Sequence, residues 1–288
     1  MKKVLVLFII SLLFVGSIYA EKIRIVTPYL GTINNDMSRT MEHGDQSFDL
    51  EFNDDSLFKG LYFQCIDTDK YQWNAFVYNS EDLNYSSLWG THFIFDYYLG
   101  VKENSKYVIG AGIEYLKMST DADSLSFDTG APPPAPQTSA INDFGLSQNI
   151  IAPFIRGGKY FYLGSDKIKY SFMPWVGAEA DVIKGDIDFV IPPMGPYIPE
   201  ISIKDNVDDD TFYALAGLNF KATFYHFIDL KLKYHCKVDL QESDTYDIAS
   251  GMLNIYFNRS WGISYRTKYM KSAEMENFYH IGGIVYAF

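Results

Sequence analysis

Residues 228–238 alternate strictly between apolar and polar side chains, and this pattern restricts the fold more than any other feature of the sequence. On a β-strand, successive side chains point to opposite faces. One face of this segment carries Ile228, Leu230, Leu232, Tyr234 and Cys236, and the other carries Asp229, Lys231, Lys233, His235 and Lys237. A soluble core cannot easily bury a charge at almost every second position. The segment therefore predicts a strand with an apolar environment on one side and a polar one on the other.

Similar segments recur along the chain, with no internal repeat and no domain linker between them. The clearest of them are residues 107–117, 169–182, 211–224, 249–257 and 261–270. Counting all such segments gives about twelve strands, of which the first is predicted at residues 22–31. The polar stretch 32–47 follows this strand, and the short segment 48–52 is not assigned to an element by its pattern. The count of twelve holds if residues 48–52 belong to a loop.

The connections between the segments fall into two classes. Short turns are predicted around Val101, His226 and Asn258, whereas residues 119–142 and 184–208 are long, polar and rich in proline. Because proline cannot donate a hydrogen bond to a ladder, both long stretches are predicted to be loops. Counting strands backward from the C-terminus places the short turns at one end and the long loops at the other.

This arrangement predicts an all-β fold, a closed antiparallel transmembrane β-barrel of about 12 strands, within a range of 8–14. After residue 20 there is no apolar run long enough for a membrane helix. In lipid, only helices and closed barrels satisfy every backbone polar group. Short turns at one end and long loops at the other are typical of transmembrane barrels. The alternative is a secreted all-β domain such as a β-sandwich.

The C-terminus ends on an aromatic residue without a polar tail. Phe288 is preceded by Tyr286 two positions earlier and by Gly283 five positions earlier. This pattern resembles the closing strand of bacterial outer-membrane β-barrels, in which these positions form the assembly signal. Ile281 departs from it, because the family usually has a polar residue there. The resemblance implies a location in the bacterial outer membrane, with its lipid and the barrel-assembly machinery as partners.

The N-terminus has the pattern of a secretory signal peptide. Lys2 and Lys3 form a positive region, residues 4–15 are apolar, and a small residue, Ala20, precedes the expected cleavage site. The predicted domains are therefore a signal peptide at residues 1–20 and a barrel at residues 21–288. The alternative is an uncleaved N-terminal anchor.

The composition excludes some classes of partner. The chain has 36 acidic and 24 basic residues, so nucleic acid is not expected as a partner, because binding it requires a basic surface. Aromatic residues make up 17% of the chain, which suits aromatic belts at two membrane interfaces. Cys65 and Cys236 either form a disulfide or remain thiols. No metal-ligand motif is present, and no cofactor is expected.

Ten charged residues on the predicted inward faces are candidates for lining a lumen. They are Asp96, Glu114, Glu179, Asp181, Lys221, Asp229, Lys231, Lys233, Arg266 and Lys268. The acidic residues are in the earlier and middle strands, and the basic residues are mostly in the later ones. We hypothesise that this separation places a transverse field across a water-filled lumen, as in a porin-like channel for the passive passage of small polar solutes. In the alternative, the same charges pair with one another and plug a structural barrel.

The sequence leaves two further functions open, binding by the long loops and hydrolysis. The long loops could bind other molecules in the manner of an adhesin, but the acidic residues 121–124 and 208–210 lack the spacing of a calcium loop. An outer-membrane hydrolase would need a serine or a pair of carboxylates beside a histidine. His92 and His235 are the histidines with inward candidates nearby, yet neither belongs to a recognisable catalytic motif. The protein is therefore not expected to be an enzyme.

Overall fold

The computed structural model describes residues 23–43, 46–81, 86–128, 138–165, 167–191, 201–242, 244–271 and 275–288. The predicted signal peptide lies outside this range. Within the described residues, no helix has the length and apolar character that crossing a membrane requires.

The described residues form twelve strands. They are β1 (Ile23–His43), β2 (Gln46–Asp67), β3 (Tyr71–Glu81), β4 (Ser86–Lys102), β5 (Ser105–Asp128), β6 (Thr138–Gly164), β7 (Ile168–Ile191), β8 (Ile201–Phe224), β9 (Ile228–Asp239), β10 (Thr245–Tyr256), β11 (Trp261–Lys271) and β12 (Met275–Ala287). Each strand pairs antiparallel with the next one in the chain, and β12 pairs antiparallel with β1, from Ile25 opposite Ala287 to Met37 opposite Met275. The sheet is therefore closed, and the predicted twelve-stranded antiparallel barrel is confirmed.

The seam between the first and last strands is sealed at the chain terminus. The backbone amide of Phe288 donates to the carbonyl of Arg24 at 2.9 Å, and the amide of Arg24 donates to the carbonyl of Phe288 at 3.1 Å. The Phe288 ring stacks on Tyr286, with 5.4 Å between ring centroids. The C-terminal aromatic residues thus lie where the barrel closes.

The connections lie at two ends, as the sequence predicts, but the loops are shorter than expected. Residues 32–43 belong to β1, so the first strand is longer than the predicted 22–31. Residues 48–52 belong to β2 and not to a loop. Likewise, most of residues 119–142 and 184–208 lie in the extended hairpins β5–β6 and β7–β8. These parts carry many polar residues, and their register is held by the backbone hydrogen bonds of the antiparallel ladder. Phe144 and Phe189 pack together inside the extension.

The strand lengths divide the barrel into a transmembrane part and an extension. Strands β9 to β12 have 11–13 residues, about the length that a tilted strand needs to cross a bilayer. Strands β5 to β8 have 24–27 residues, so about half of each projects beyond the end that carries the long connections. On β7 the outward face changes from Val176, Ala178 and Val182 to Lys184 and Asp186 at this boundary.

The outward face of the transmembrane part is apolar. Isoleucine side chains are exposed there on neighbouring strands, for example Ile109 at 59% and Ile155 at 64%. Surrounding lipid explains this exposure, because a soluble protein rarely leaves a continuous apolar band facing water. Cys65 and Cys236 also belong to the outward row and are not joined by a disulfide.

Candidate functional site in the barrel interior

The register places all ten charged candidates on the inward face of the barrel. The strands divide them as follows: Asp96 on β4, Glu114 on β5, Glu179 and Asp181 on β7, Lys221 on β8, Asp229, Lys231 and Lys233 on β9, and Arg266 and Lys268 on β11. Their role in lining a conducting lumen stays a prediction. Their contacts separate them into residues that are paired and residues that are not.

The most buried pair joins β4 to β6. The guanidinium of Arg156 donates to both carboxylate oxygens of Asp96, at 2.8 and 2.9 Å from Nη2 and 3.1 Å from Nε. Gln72 Nε2 donates to the same carboxylate at 2.8 Å. The Asp96 side chain is fully buried and that of Arg156 is 6% exposed. This bidentate pair is therefore a structural link inside the barrel wall.

A second group of carboxylates is held by Lys237 on β9. Lys237 Nζ lies 2.5 Å from Glu179 and 2.7 Å from Asp181, and it also lies 3.8 Å from the centre of the Tyr213 ring. One ammonium group thus bridges two carboxylates of β7. Both acidic candidates of this strand are engaged with it.

The remaining two acidic candidates also have close partners. Glu114 is 3.4 Å from His92 Nδ1 and accepts a hydrogen bond from the Tyr78 hydroxyl at 3.2 Å. Asp229 lies 3.2 Å from Lys221 Nζ and accepts a hydrogen bond from the Thr223 hydroxyl at 2.6 Å. All five acidic candidates therefore have an ion-pair or hydrogen-bond partner nearby, and they do not form an unpaired acidic side of a lumen.

Four basic candidates lie close together on the inward faces of β9 and β11, and they are called the basic wall: Lys231, Lys233, Arg266 and Lys268. Lys231 and Arg266 face each other across Met252 of β10, and Lys233 and Lys268 face each other across Ser250. Among the described residues, none of these four cations forms an ion pair with a carboxylate. Lys231 Nζ donates to Gln64 Oε1 at 3.1 Å, and the Arg266 guanidinium lies over the rings of Phe76 and Tyr62. This side of the interior thus carries excess positive charge.

Lys231, Lys233 and Arg266 of the basic wall line an interior cavity of about 240 Å3. The cavity extends down to Thr68, in the turn between β2 and β3, so it reaches the end of the barrel that carries the short turns. The described part of its lining contains no aspartate or glutamate. Its basic residues are Lys106, Arg156, Lys221, Lys231, Lys233 and Arg266.

Aromatic side chains fill the interior on the side of β1, β2, β3 and β12. Phe58 is 1% exposed and stacks between Tyr78 and Tyr279, with ring centroids 5.3 and 5.5 Å away. Phe76 and Ile281 belong to the same cluster. Tyr62 belongs both to this cluster and to the lining of the cavity. The cluster therefore bounds one side of the cavity, which forms a chamber inside the barrel.

Sequence reasoning missed three interior cations. Arg156 lies on β6, a strand whose two faces are not assigned from the sequence above. Lys106 lies at the start of β5, next to the turn predicted around Val101. Lys237 was placed on the charged face of β9 but not among the lining candidates. The alternation of side chains along β6 and β9 places Arg156 and Lys237 on inward faces, and this pattern is enough to add both residues to the lining candidates.

Comparisons with known proteins identify the fold. No protein-family model matches the chain, and no curated protein matches it. Among solved structures, the translocator domain of the autotransporter NalP from Neisseria meningitidis is similar over 100% of this chain and 96% of that one, with a TM-score of 0.58 and 12% identity.

Two further similar structures belong to the same architectural class. The β domain of the Bordetella autotransporter BrkA covers 91% of this chain and 99% of its own, with a TM-score of 0.46 and 9% identity. The outer-membrane protease OmpT from Escherichia coli covers 94% and 99%, with a TM-score of 0.43 and 10% identity. The closed twelve-stranded antiparallel sheet and the likeness to the NalP translocator domain give the chain the fold of a bacterial outer-membrane β-barrel. At these identities the likeness concerns the fold and not the activity.

Proposed function

We propose that this protein is an outer-membrane barrel that passes small anionic solutes passively through its interior. One observation carries the proposal: the chamber is lined by six basic residues, and three of them, Lys231, Lys233 and Arg266, form no ion pair with a carboxylate among the described residues. Two others, Arg156 and Lys221, are paired with Asp96 and Asp229. The barrel would lie in outer-membrane lipid after insertion by the assembly machinery and would catalyse no reaction.

The charge of the chamber lining is positive, whereas the net charge of the whole molecule is negative. The chain has a formal net charge of −12, so the cationic lining is a local arrangement and not a result of composition. Charge concentrated in a cleft with low-dielectric walls focuses the field and raises the local concentration of counter-ions. Small anions are therefore the solutes that this interior attracts, and cations are repelled from it.

The test is the ion selectivity of the refolded protein in a planar bilayer under a salt gradient. The reversal potential of the wild-type barrel should show that anions permeate more readily than cations. Lys231→Glu combined with Lys233→Glu should shift it toward cations, because two positive charges of the lining become negative. The matched control is Lys184→Glu with Lys204→Glu, which changes the net charge equally at exposed positions on the extended hairpins. A conducting barrel whose selectivity does not respond to the interior pair would contradict the proposal.

The packed interior favours a second candidate, a non-conducting barrel that acts through its long hairpins. Phe58, Ile281 and Met173 are almost completely buried inside the barrel. The described parts of the β7–β8 extension expose polar side chains, for example Lys184, Asp186 and Lys204. A refolded, heat-resistant barrel that never conducts in the same recordings would favour this candidate over the first.

A further inference from the structure

We propose that the chamber contains a specific binding site for a phosphate group, formed by Arg266, Lys231 and Lys233. This inference deepens the proposed function, since it assigns a ligand class to the same chamber. It rests on the contacts of three cations and on the polar groups beside them.

Arg266 has hydrogen-bonding capacity that the described residues do not use. Its Nη1 atom is buried and has no hydrogen-bond partner among them. The guanidinium lies over the ring of Phe76 at 4.8 Å and over that of Tyr62 at 5.6 Å, which fixes its plane. A guanidinium held in this way presents paired N–H donors that match two oxygens of a phosphate group. Because leaving a buried donor unsatisfied is costly, the site favours a bound acceptor.

The two lysines supply charge next to this guanidinium. Lys231 is repelled by Lys221, Lys233 and Arg266 and attracted by Asp229. Lys233 is repelled by Arg156 and Arg266 and attracted by Asp96. The nearby Asp229 is already bound to Lys221 at 3.2 Å. Repulsion among these cations is relieved best by a multiply charged anion. A phosphate monoester carries about −1.5 to −2 charges at pH 7, whereas chloride carries one.

Neutral polar groups line the same space. Asn219 lines the cavity, and its Oδ1 accepts a hydrogen bond from Trp175 Nε1 at 3.3 Å. The Ser250 hydroxyl lies on the lining between the two cationic strands. The cavity of about 240 Å3 is below the usual size of drug-sized pockets, so it suits inorganic phosphate or a small phosphate ester.

The test is calorimetric titration of the refolded full-length barrel in detergent at constant ionic strength. The ligands are inorganic phosphate, glycerol phosphate, succinate and chloride. Phosphate or its ester should bind saturably, and succinate and chloride at least about tenfold more weakly. Arg266→Lys keeps the charge but loses the paired donors, so it should weaken phosphate binding by about tenfold, the size expected for one hydrogen bond to a charged group. Lys204→Gln, on an exposed part of β8, is the control and should bind like the wild type.

Each outcome decides between the possibilities. A stronger response to the ester than to inorganic phosphate identifies an organic phosphate as the ligand, and the reverse identifies the free ion. Equal binding of succinate and phosphate, or no saturable binding, overturns the assignment. If Arg266→Lys does not refold, Lys233→Gln replaces it, and unchanged phosphate affinity in that variant overturns the site. Anion-selective conductance without phosphate binding would refute this inference alone, whereas phosphate binding without conductance would refute only the proposed transport.

Discussion

At the scale of single residues, the interior contains two kinds of charge with different tasks. Asp96 and Arg156 satisfy each other through three hydrogen bonds and are almost completely removed from solvent. Lys233 and Arg266 have no such carboxylate partner among the described residues. Paired charges hold strands together, and unpaired charges are available to solutes.

Removing the basic partner of the buried pair should destabilise the barrel strongly. Arg156→Ala leaves the Asp96 carboxylate buried with Gln72 as its one remaining hydrogen-bond partner among the described residues. We therefore expect a loss of about 3 kcal/mol in the free energy of unfolding. Urea unfolding of the refolded protein, followed by tryptophan fluorescence, measures this. The control is Lys271→Gln, because Lys271 and Glu276 form an exposed pair at 3.6 Å whose loss should cost less than about 1 kcal/mol. Similar losses in both variants would mean that the interior pair has no special structural role.

At the scale of elements, closure of the barrel depends on close contact between β1 and β12. Gly31 of β1 lies opposite Ile281 of β12. A Cβ atom at Gly31 would overlap the carbonyl oxygen of His280 and lie 2.7 Å from the Cα of Ile281. Both are backbone atoms, so neither can move aside without disturbing the seam. Glycine is required at this position because the two backbones come so close.

A methyl group at the seam should therefore weaken closure. Gly31→Ala is expected to lower the free energy of unfolding by about 1–3 kcal/mol through overpacking. Gly282→Ala is the matched control on the facing strand, because a Cβ there would meet no atom within 4 Å. Heat-dependent migration in detergent gels, combined with urea unfolding, compares the two. Equal behaviour of both variants would show that the seam tolerates a side chain at Gly31.

At the scale of the whole molecule, the barrel and its extensions are separable. The transmembrane part closes through β9 to β12 and the β1–β12 seam, whereas the extended parts of β5 to β8 pair with one another above the apolar band. Within lipid, every backbone N–H and C=O group needs a hydrogen-bond partner in the protein. The extension lies in water, which can supply such partners, so shortening it leaves no backbone group without a partner in lipid.

Shortening the β7–β8 hairpin should therefore leave the barrel and its selectivity intact. Asp186 and Asn206 are register partners, so residues 187–205 can be replaced by a two-residue Asn-Gly turn. We expect the shortened protein to refold and to keep the same reversal potential. Loss of the buried Phe189 ring, which packs on Phe144, should lower the free energy of unfolding by about 3 kcal/mol. Failure to refold would show that the extension is needed to form the barrel, and a changed reversal potential would place part of the selectivity in the hairpins.

The alternation of side chains by itself determined the class of fold, the strand number and the inward row of charges. Alternation is a local property of a strand, and a strand between lipid and a polar interior must display it. The length of β1 and of the hairpins was not readable in this way, because a strand in water can be polar on both faces.

Only the tertiary structure decided which charges neutralise one another. Asp96 and Arg156 are 60 positions apart in sequence, and Lys231 and Gln64 are 167 apart. Their contacts depend on how the barrel closes and on the stagger of its strands, which no local pattern records. The sequence separated acidic from basic strands, but closure brought Arg156 and Lys237 to the carboxylates and left the cations of β9 and β11 facing a chamber. The charge available to a solute is therefore a property of the closed barrel.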